Sequence, residues 1–444
     1  MKNKEHIDTA IMSLGRAKID SPMKVRAEGN TGLHFVSDKD RVLVDICEND
    51  VIKTVKNGGR LLSFERAGPR RKIFFDPSKL RCAIVSCGGL CPGINDIIRA
   101  VVLALYYNYG VRQVYGIRYG LEGFIPSYGH DIVDLTPKSV VNIHERGGTI
   151  LGSSRGPQDI ESIVDALERM NIGILFTIGG DGTMAASAKI ADEAEKRRLK
   201  IAVIGLPKTI DNDIYLIDRS FGFDTAVEVA VNVILSAHNE AISAPNGIGL
   251  VKLMGRRSGF IATSATLAMP DVNFCLIPES DFDLEGPGGF LEVLKKRLIR
   301  RKHAVIVVAE GAGQKFFDTK TQERDASGNI RLHDIGIYLK NTITAYFKQQ
   351  NMPINLKYID PSYTIRSVPA NANDHILCGF LARGAVHAGM AGKTKMLVGL
   401  CNNRVVHIPL EATIGKRKQV YLSGTKWMSV LETTGQPRLK SSRE

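Results

Sequence analysis

"ILFTIGGDGTMAASAKIADEA", residues 174–194, is the stretch whose reading decides the fold. An apolar run ends in two glycines, an aspartate, a third glycine and a threonine, and a helical pattern follows. Strand, glycine-rich turn and helix in that order form the repeating unit of a parallel α/β sheet. Glycines ahead of a helix let backbone N–H groups approach an anion closely, and the helix dipole favours negative charge there. The turn also holds a carboxylate, Asp181, which repels a bare phosphate. Taken alone, "GGDGT" (179–183) could be a turn capped by its aspartate. Its place between a strand and a helix favours a second reading, in which a divalent cation accompanies the phosphates. Mg²⁺ keeps several waters and needs only one or two protein carboxylates beside substrate phosphates. Asp181 then faces Mg²⁺ while the flanking N–H groups face phosphate.

The same pattern recurs on both sides. "CAIVSC" (82–87) leads into "GGLCPGIND" (88–96) and a helical stretch through Ala104. "VRQVYGIRYG" (111–120) reads as the next strand and turn, and "KIAVIGL" (200–206) runs into "PKTIDND" (207–213). A long helix is expected over "FDTAVEVAVNVILSAHNEAIS" (223–243), where Thr225 and Glu228 have capping-box spacing. A second α/β set follows in "GIGLVKLMG" (247–255), "NFCLIPE" (273–279), the helical "FLEVLKKRLIRR" (290–301) and "AVIVVAEGAG" (304–313). "MLVGLCNNRVVHIPL" (396–410) reads as a hairpin turning at Asn402-Asn403. Short, fully apolar strands alternating with amphipathic helices imply parallel sheets covered on both faces. Ligands of such sheets bind beyond the carboxyl ends of the strands, where all these glycine-rich turns fall. Residues 1–80 are mixed and polar, broken by "NGGR" and "RAGPRRK", and read as an arm.

Composition narrows the functional classes. The 444 residues suffice for two to three domains, at ~150 residues each. With 44% hydrophobic and 24% charged residues the chain reads as soluble and globular. No run reaches the ~18 apolar residues of a membrane span; "IIRAVVLALYY" is interrupted by Arg99. "MKNKEHIDTA" lacks the apolar core of a signal peptide and "KSSRE" carries no peroxisomal address, so a cytoplasmic location is expected. The seven cysteines sit mostly in apolar strand-like runs and complete no zinc site, so they read as buried thiols. A formal charge of +13 calls for anionic partners, either nucleic acid or phosphorylated metabolites. The basic residues are scattered, and no nucleic-acid-binding signature accompanies them, which favours metabolites.

The remaining motifs carry chemistry. Nothing fits a Walker A loop or a strand-borne G-x-G-x-x-G. "PKTIDND" could be a capped turn; beside a metal-phosphate cradle it suits phosphoryl transfer. That reaction needs a base for a hydroxyl proton and cations for the moving charge. Asp211 is then the base, Lys208 the cation, and Asp213 an orienting group or a metal partner. Arg155 in "LGSSRGP", Arg256 in "LMGRRSG" and Arg366 in "SYTIR" follow small or glycine-rich stretches, where guanidinium forks match phosphate oxygens. Any one of them could equally be a salt-bridged surface arginine. Glu310, ending "AVIVVAE", could cap the following turn or accept hydrogen bonds from a sugar hydroxyl.

Together, "GGLCPGIND", "GSSRG", "GGDGT", "PKTIDND", "LMGR", "AEG" and "PSYTIR" resemble, in order and spacing, the motifs of the 6-phosphofructokinases. The resemblance covers roughly residues 81–400 and is closest to the long-chain branch, which holds both pyrophosphate-dependent enzymes and ATP-dependent ones. It implies two Rossmann-like three-layer α/β/α domains with parallel sheets. It also implies a nucleotide-binding domain over 81–220 completed by about 390–420, a fructose-6-phosphate domain over 221–390 and a C-terminal tail over 421–444.

By the same resemblance, Gly89, Arg155, Gly156, Gly180, Asp181, Gly182 and Thr183 hold ATP, with Asp181 on Mg²⁺. Thr209, Ile210 and Asp211 meet the sugar, and Asp211 accepts the proton of the C1 hydroxyl of fructose 6-phosphate. Met254, Gly255 and Arg256 line the sugar-phosphate site, and Glu310 binds sugar hydroxyls. Tyr363, Thr364, Ile365 and Arg366 grip the 6-phosphate, and Lys357 aligns with a further phosphate-binding arginine of the short bacterial enzymes. The product is fructose 1,6-bisphosphate, the expected assembly is a homotetramer or homodimer, and neither nucleic acid nor membrane is expected as a partner.

Two positions depart from the short enzymes. Their interface arginine falls at Gly247, and their adenine-pocket aromatic falls near Leu121. Donor choice turns on Gly182, where pyrophosphate-dependent relatives carry an aspartate that fills the space of the α-phosphate and repels it. Glycine favours ATP. Lys208 is typical of pyrophosphate users and points the other way, but it can serve either donor, so the expectation is ATP, with the pyrophosphate-dependent enzyme as the alternative.

Overall fold

The computed structural model describes residues 7–23, 34–317 and 330–440. The chain divides into two compact units, one of Met1–Thr209, Ile214–Gly222 and Val368–Arg417, the other of Ile210–Asp213, Phe223–Ser367 and Lys418–Glu444. The first unit is built on a nine-stranded sheet. Its centre is parallel and runs Met396–Cys401, Ala202–Pro207, Ile174–Gly179, Arg81–Ser86 and Gln113–Ile117 in spatial order. Antiparallel strands flank it: Ile132–Asp134 on one side, and Arg404–Pro409, Ser63–Arg66 and Arg41–Leu43 on the other.

Alternation along the strands shows why both faces are covered, since successive side chains point to opposite sides. Leu175, Ala83, Val85 and Val203 share a core with Ile163, Val164 and Leu167 of helix Ile160–Arg169 and Ile190, Ala191 and Ala194 of helix Asp181–Lys196. Ile174, the neighbour of Leu175, lies on the other face. A Cβ on Gly389 of helix Ala372–Met390 would sit 2.9 Å from its Cγ2, so that helix packs there at a distance only glycine permits. The three-layer expectation holds.

The second unit has four strands, all parallel: Phe274–Leu276, His303–Ala309, Gly247–Leu253 and Asn355–Ile359. Ile248, Leu250, Ile306 and Val308 pack with helices Phe290–Arg301 and Ile335–Gln349. On the opposite face a Cβ at Gly249 would come within 2.6 Å of the Ala237 carbonyl, so helix Phe223–Ile242 presses close to the strand. That helix already begins at Phe223. Thr225 therefore lies buried inside its first turn rather than at the expected cap.

The Asn402-Asn403 hairpin is present: Cys401 pairs with Arg404, and both asparagines are left-handed, with φ of 47° and 58°. Asparagine tolerates that region better than other side-chain-bearing residues, which suits it to a two-residue turn. Six of the seven cysteines are buried and none of the seven forms a disulfide; Cys47 is exposed. Within the stretch read as an arm, Arg41–Leu43 and Ser63–Arg66 are strands of the large sheet. Both are too short for a strand pattern to show in the sequence; Arg41–Leu43 is the edge strand, and Ser63–Arg66 pairs on both sides. The expected tail, 421–444, includes helix Thr425–Thr434, and its last four residues lie outside the described ones. Among the described residues no helix is long and apolar enough to cross a membrane.

Candidate active site

In the first unit, strand Ile174–Gly179 is buried throughout and delivers its chain to the start of helix Asp181–Lys196. Gly180, at the cap, is extended (φ −88°, ψ −163°), and the helix has no side-chain cap. Its first N–H groups therefore have no capping oxygen from the Gly180 position, the arrangement that seats an anion. The glycines of this turn serve different ends. A Cβ on Gly179 would lie 2.1 Å from Thr183 Oγ1, so Thr183 closes over bare backbone. A Cβ on Gly182 would meet nothing within 4 Å, leaving volume open beside the turn. Asp181, the first helical residue, places Oδ2 2.7 Å from Arg417 Nη2, and both side chains are 29% exposed.

Two neighbouring turns converge on this one. Gly88 has φ of +85° and donates its N–H to Ser154 O at 3.0 Å, while Ser153 Oγ donates to Gly88 O at 2.6 Å. These bonds pin the turn holding Gly89 to the loop holding exposed Arg155 and left-handed Gly156 (φ +103°). Lys208 follows the adjacent strand and is buried; its N–H donates to Gly179 O at 2.9 Å and its Nζ to Gly89 O at 2.6 Å. Thr209 O accepts from Ser220 Oγ at 2.7 Å. Gly89, Gly180 and Lys208 are thus brought together. Cys87 beneath them is a thiol pushed up to about 11, chiefly by burial, with Lys208 pulling it back.

The second unit assembles its group from two adjacent strand ends. Leu253 pairs with Ala309, so Met254, Gly255 and Arg256 leave the sheet beside Glu310. Glu310 N–H donates to Leu253 O at 2.9 Å and Gly311 N–H to Gly255 O at 3.1 Å. A Cβ on Gly311 would stand 2.0 Å from Arg256 O, so the "AEG" glycine is required by this close approach. Burial raises the Glu310 carboxyl above the ordinary range, opposed by the cations Arg256, Lys252 and Arg366. Arg366 lies 5.0 Å from the Tyr363 ring centre; fully buried Ile365 anchors the turn Thr364–Ser367, and Tyr363 is exposed.

The segment Ile210–Asp213 also belongs to this unit. Ile210, Asn212 and Asp213 are buried and Asp211 half-buried. Ser258 Oγ donates to Asp211 O at 3.2 Å, and Lys418 donates from Nζ to Asn212 Oδ1 at 3.1 Å and from its backbone N–H to Asp213 O at 2.8 Å. Left-handed Asn212 (φ 52°) makes the sharp bend between the two aspartates.

Lys357 is not drawn into either group. It is exposed in mid-strand opposite Gly249, not at the carboxyl edge with Arg256 and Glu310. Two charged residues at these sites escaped the sequence reading. Lys252, bonded to Asp334 and Asp360 at 2.8 Å each, was signalled only by standing inside an apolar run. Arg417 had no signal, being one basic residue among several in "GKRKQ". The two departures have structural reasons. A Cβ at Gly247 would lie 2.0 Å from the Ala241 carbonyl, so no side chain fits there, and Leu121 is buried in the core with Phe124 and Ile163.

A family model described as phosphofructokinase matches residues 81–389. The ATP-dependent 6-phosphofructokinase of Borreliella burgdorferi is 51% identical over 98% of this chain and 98% of its own. ATP-dependent 6-phosphofructokinase 7 of Arabidopsis thaliana is 50% identical over 86% of this chain and 79% of its own. Among solved structures, a pyrophosphate-dependent phosphofructokinase from Marinobacter aquaeolei matches with a TM-score of 0.66 over 81% of this chain and 92% of that one, at 19% identity. That likeness bears on the fold alone.

Proposed function

The chain belongs to the phosphofructokinase family, and from that premise we propose how its residues carry out the ATP-dependent phosphorylation of fructose 6-phosphate. The observation that carries the activity is the sequence identity, over nearly the full length of both chains, to a relative of that name. The C1 hydroxyl oxygen attacks the γ-phosphorus of ATP, the bond from that phosphorus to the β-bridging oxygen breaks, and ADP leaves. Asp211 takes the hydroxyl proton, and half-burial keeps its carboxylate within reach of a substrate. Lys208 supplies positive charge to the moving phosphoryl group, and buried Asp213 holds the loop that presents Asp211.

ATP is held by Gly89, Arg155, Gly156, Gly180, Asp181, Gly182 and Thr183. The partly exposed carboxylate of Asp181, beside the open volume at Gly182, fits a cation arriving with the nucleotide. Mg²⁺ bound there supplies charge neutralisation to the polyphosphate. Arg256 and Arg366 take the 6-phosphate, with Met254, Gly255 and the Tyr363–Arg366 turn around it, and Glu310 takes sugar hydroxyls. Thr209 and Ile210 flank the reacting hydroxyl. The enzyme works in the cytoplasm as a homotetramer or homodimer.

The test is fructose 1,6-bisphosphate formation with ATP and pyrophosphate side by side. Turnover with ATP alone is expected. Turnover with pyrophosphate would mean that Lys208 outweighs the open volume at Gly182 in setting the donor.

A further inference from the structure

The ion pair between Asp181 and Arg417 has a consequence for the donor site. Arg417 reaches the phosphate turn from the far end of the chain. Strand Arg404–Pro409 leads into the turn Leu410–Thr413, whose Leu410 and Ala412 pack with Met184 and Ala188 of helix Asp181–Lys196. Lys395 braces the same contact, pairing with Asp192 of that helix at 2.5 Å and with Glu411. Arg417 is also bridged to Ile214 as an isolated antiparallel pair. Its backbone is therefore held over the first turns of the helix by packing, not by the ion pair, and stays there when the pair opens.

A carboxylate bonded to a guanidinium at 2.7 Å cannot also give that oxygen to a divalent cation without bringing two positive groups into contact. A cation that takes this same oxygen displaces the guanidinium. Once displaced it is tethered beside the open volume at Gly182, the space a polyphosphate on the helix terminus would fill. Guanidinium forks bond phosphate oxygens bidentately, so the displaced group has an anion to receive it.

We propose that Arg417 is a switching counter-ion of the donor site: it neutralises Asp181 while the site is empty and moves to the donor phosphates when the cation claims that carboxylate. This rests on the reading of Asp181 as the cation's carboxylate.

The test is ADP binding by calorimetry to the full-length protein, with and without Mg²⁺, for the parent, Arg417→Gln, Asp181→Asn and the double variant. Without Mg²⁺, Asp181→Asn removes the ion pair that holds Arg417 to the turn, so metal-free ADP binds about tenfold tighter, the size of one charge-assisted contact. The double variant loses that gain. If the double variant keeps the gain, or Asp181→Asn shows none, Arg417 does not serve the phosphates and the proposal is overturned. If Asp181→Asn leaves the Mg²⁺ dependence of ADP affinity at the parental value, the reading of Asp181 fails instead. Melting temperatures near the parent's confirm that each variant is folded.

Discussion

The helix-start turn of the first unit and the cationic cluster of the second, which we propose hold the donor and the sugar phosphate, are built in two different ways. The first is made of backbone: a helix start, glycines at 88, 179, 180 and 182, and main-chain bonds from Lys208 to Gly179 and from Gly88 to Ser154. Its geometry is set by what is missing at Cβ. The second is made of side-chain charge, with Arg256, Lys252 and Arg366 around a buried carboxylate, and with Asp334 and Asp360 on Lys252. A backbone cradle responds to added volume first and to charge second. A charge cluster is the reverse. Substitutions in the two units should therefore fail in different kinetic parameters, and the segment Lys208–Asp213, shared between them in the chain, should fail in neither way.

The largest effect is expected in that shared segment. Asp211→Asn should lower kcat by about 10³ to 10⁴, the scale of a lost general base, while KM for either substrate moves less than about threefold. Steady-state kinetics decide it, and a loss carried mainly by KM would make Asp211 a binding group. Next is Gly182→Asp. Two charges ~4 Å apart at an effective dielectric of 20 repel by about 4 kcal/mol, so kcat/KM for ATP should drop by about 10³. Because a Cβ there meets nothing, the melting temperature should hold. Gly179→Ala sharpens the contrast: its Cβ would lie 2.1 Å from Thr183, so it should cost about 1–3 kcal/mol of stability in a denaturant titration.

In the second unit, Arg256→Ala should raise KM for fructose 6-phosphate by about 10- to 100-fold, the loss of a hydrogen bond to a charged group, and leave KM for ATP within about threefold. Equal losses for both substrates would erase the distinction between the units.

How much of this was legible differs by residue for physical reasons. The central strands were readable because burial on both faces demands continuous apolar runs, as in "ILFTI" and "AVIVVA". The hairpin was readable because Asn402 and Asn403 advertise left-handed backbone. The strands at 41–43 and 63–66 were not, since three and four residues are too few to show a strand's alternation. The capping box at Thr225 misled because the spacing was right while the helix starts two residues earlier. The turns that carry Gly180, Asp181 and Lys208 were legible as turns through their local motifs. Arg417 was invisible because its place on Asp181 is decided by sheet order and by the packing of Leu410 and Ala412. Position along the chain carries none of that.

The smallest effect lies in stability, and it separates the two designs most directly. Burial raises the folded-state pKa of Glu310 above its value in the unfolded chain, and the surrounding cations do not fully cancel this. The folded state thus holds the proton more tightly. That contribution favours folding fully below the unfolded pKa and is lost as pH rises through the folded one. Above the folded pKa the ionised carboxylate is a cost, one that its proposed hydroxyl-binding role would explain. Glu310→Gln should therefore melt slightly higher than the parent at pH 7, with the difference closing as pH falls toward 4.5, the ordinary value for Glu. Its KM for fructose 6-phosphate should rise over the same range. No pH dependence in the difference would mean that Arg256 and Lys252 compensate the carboxylate completely, and the second unit would then carry no stored electrostatic cost.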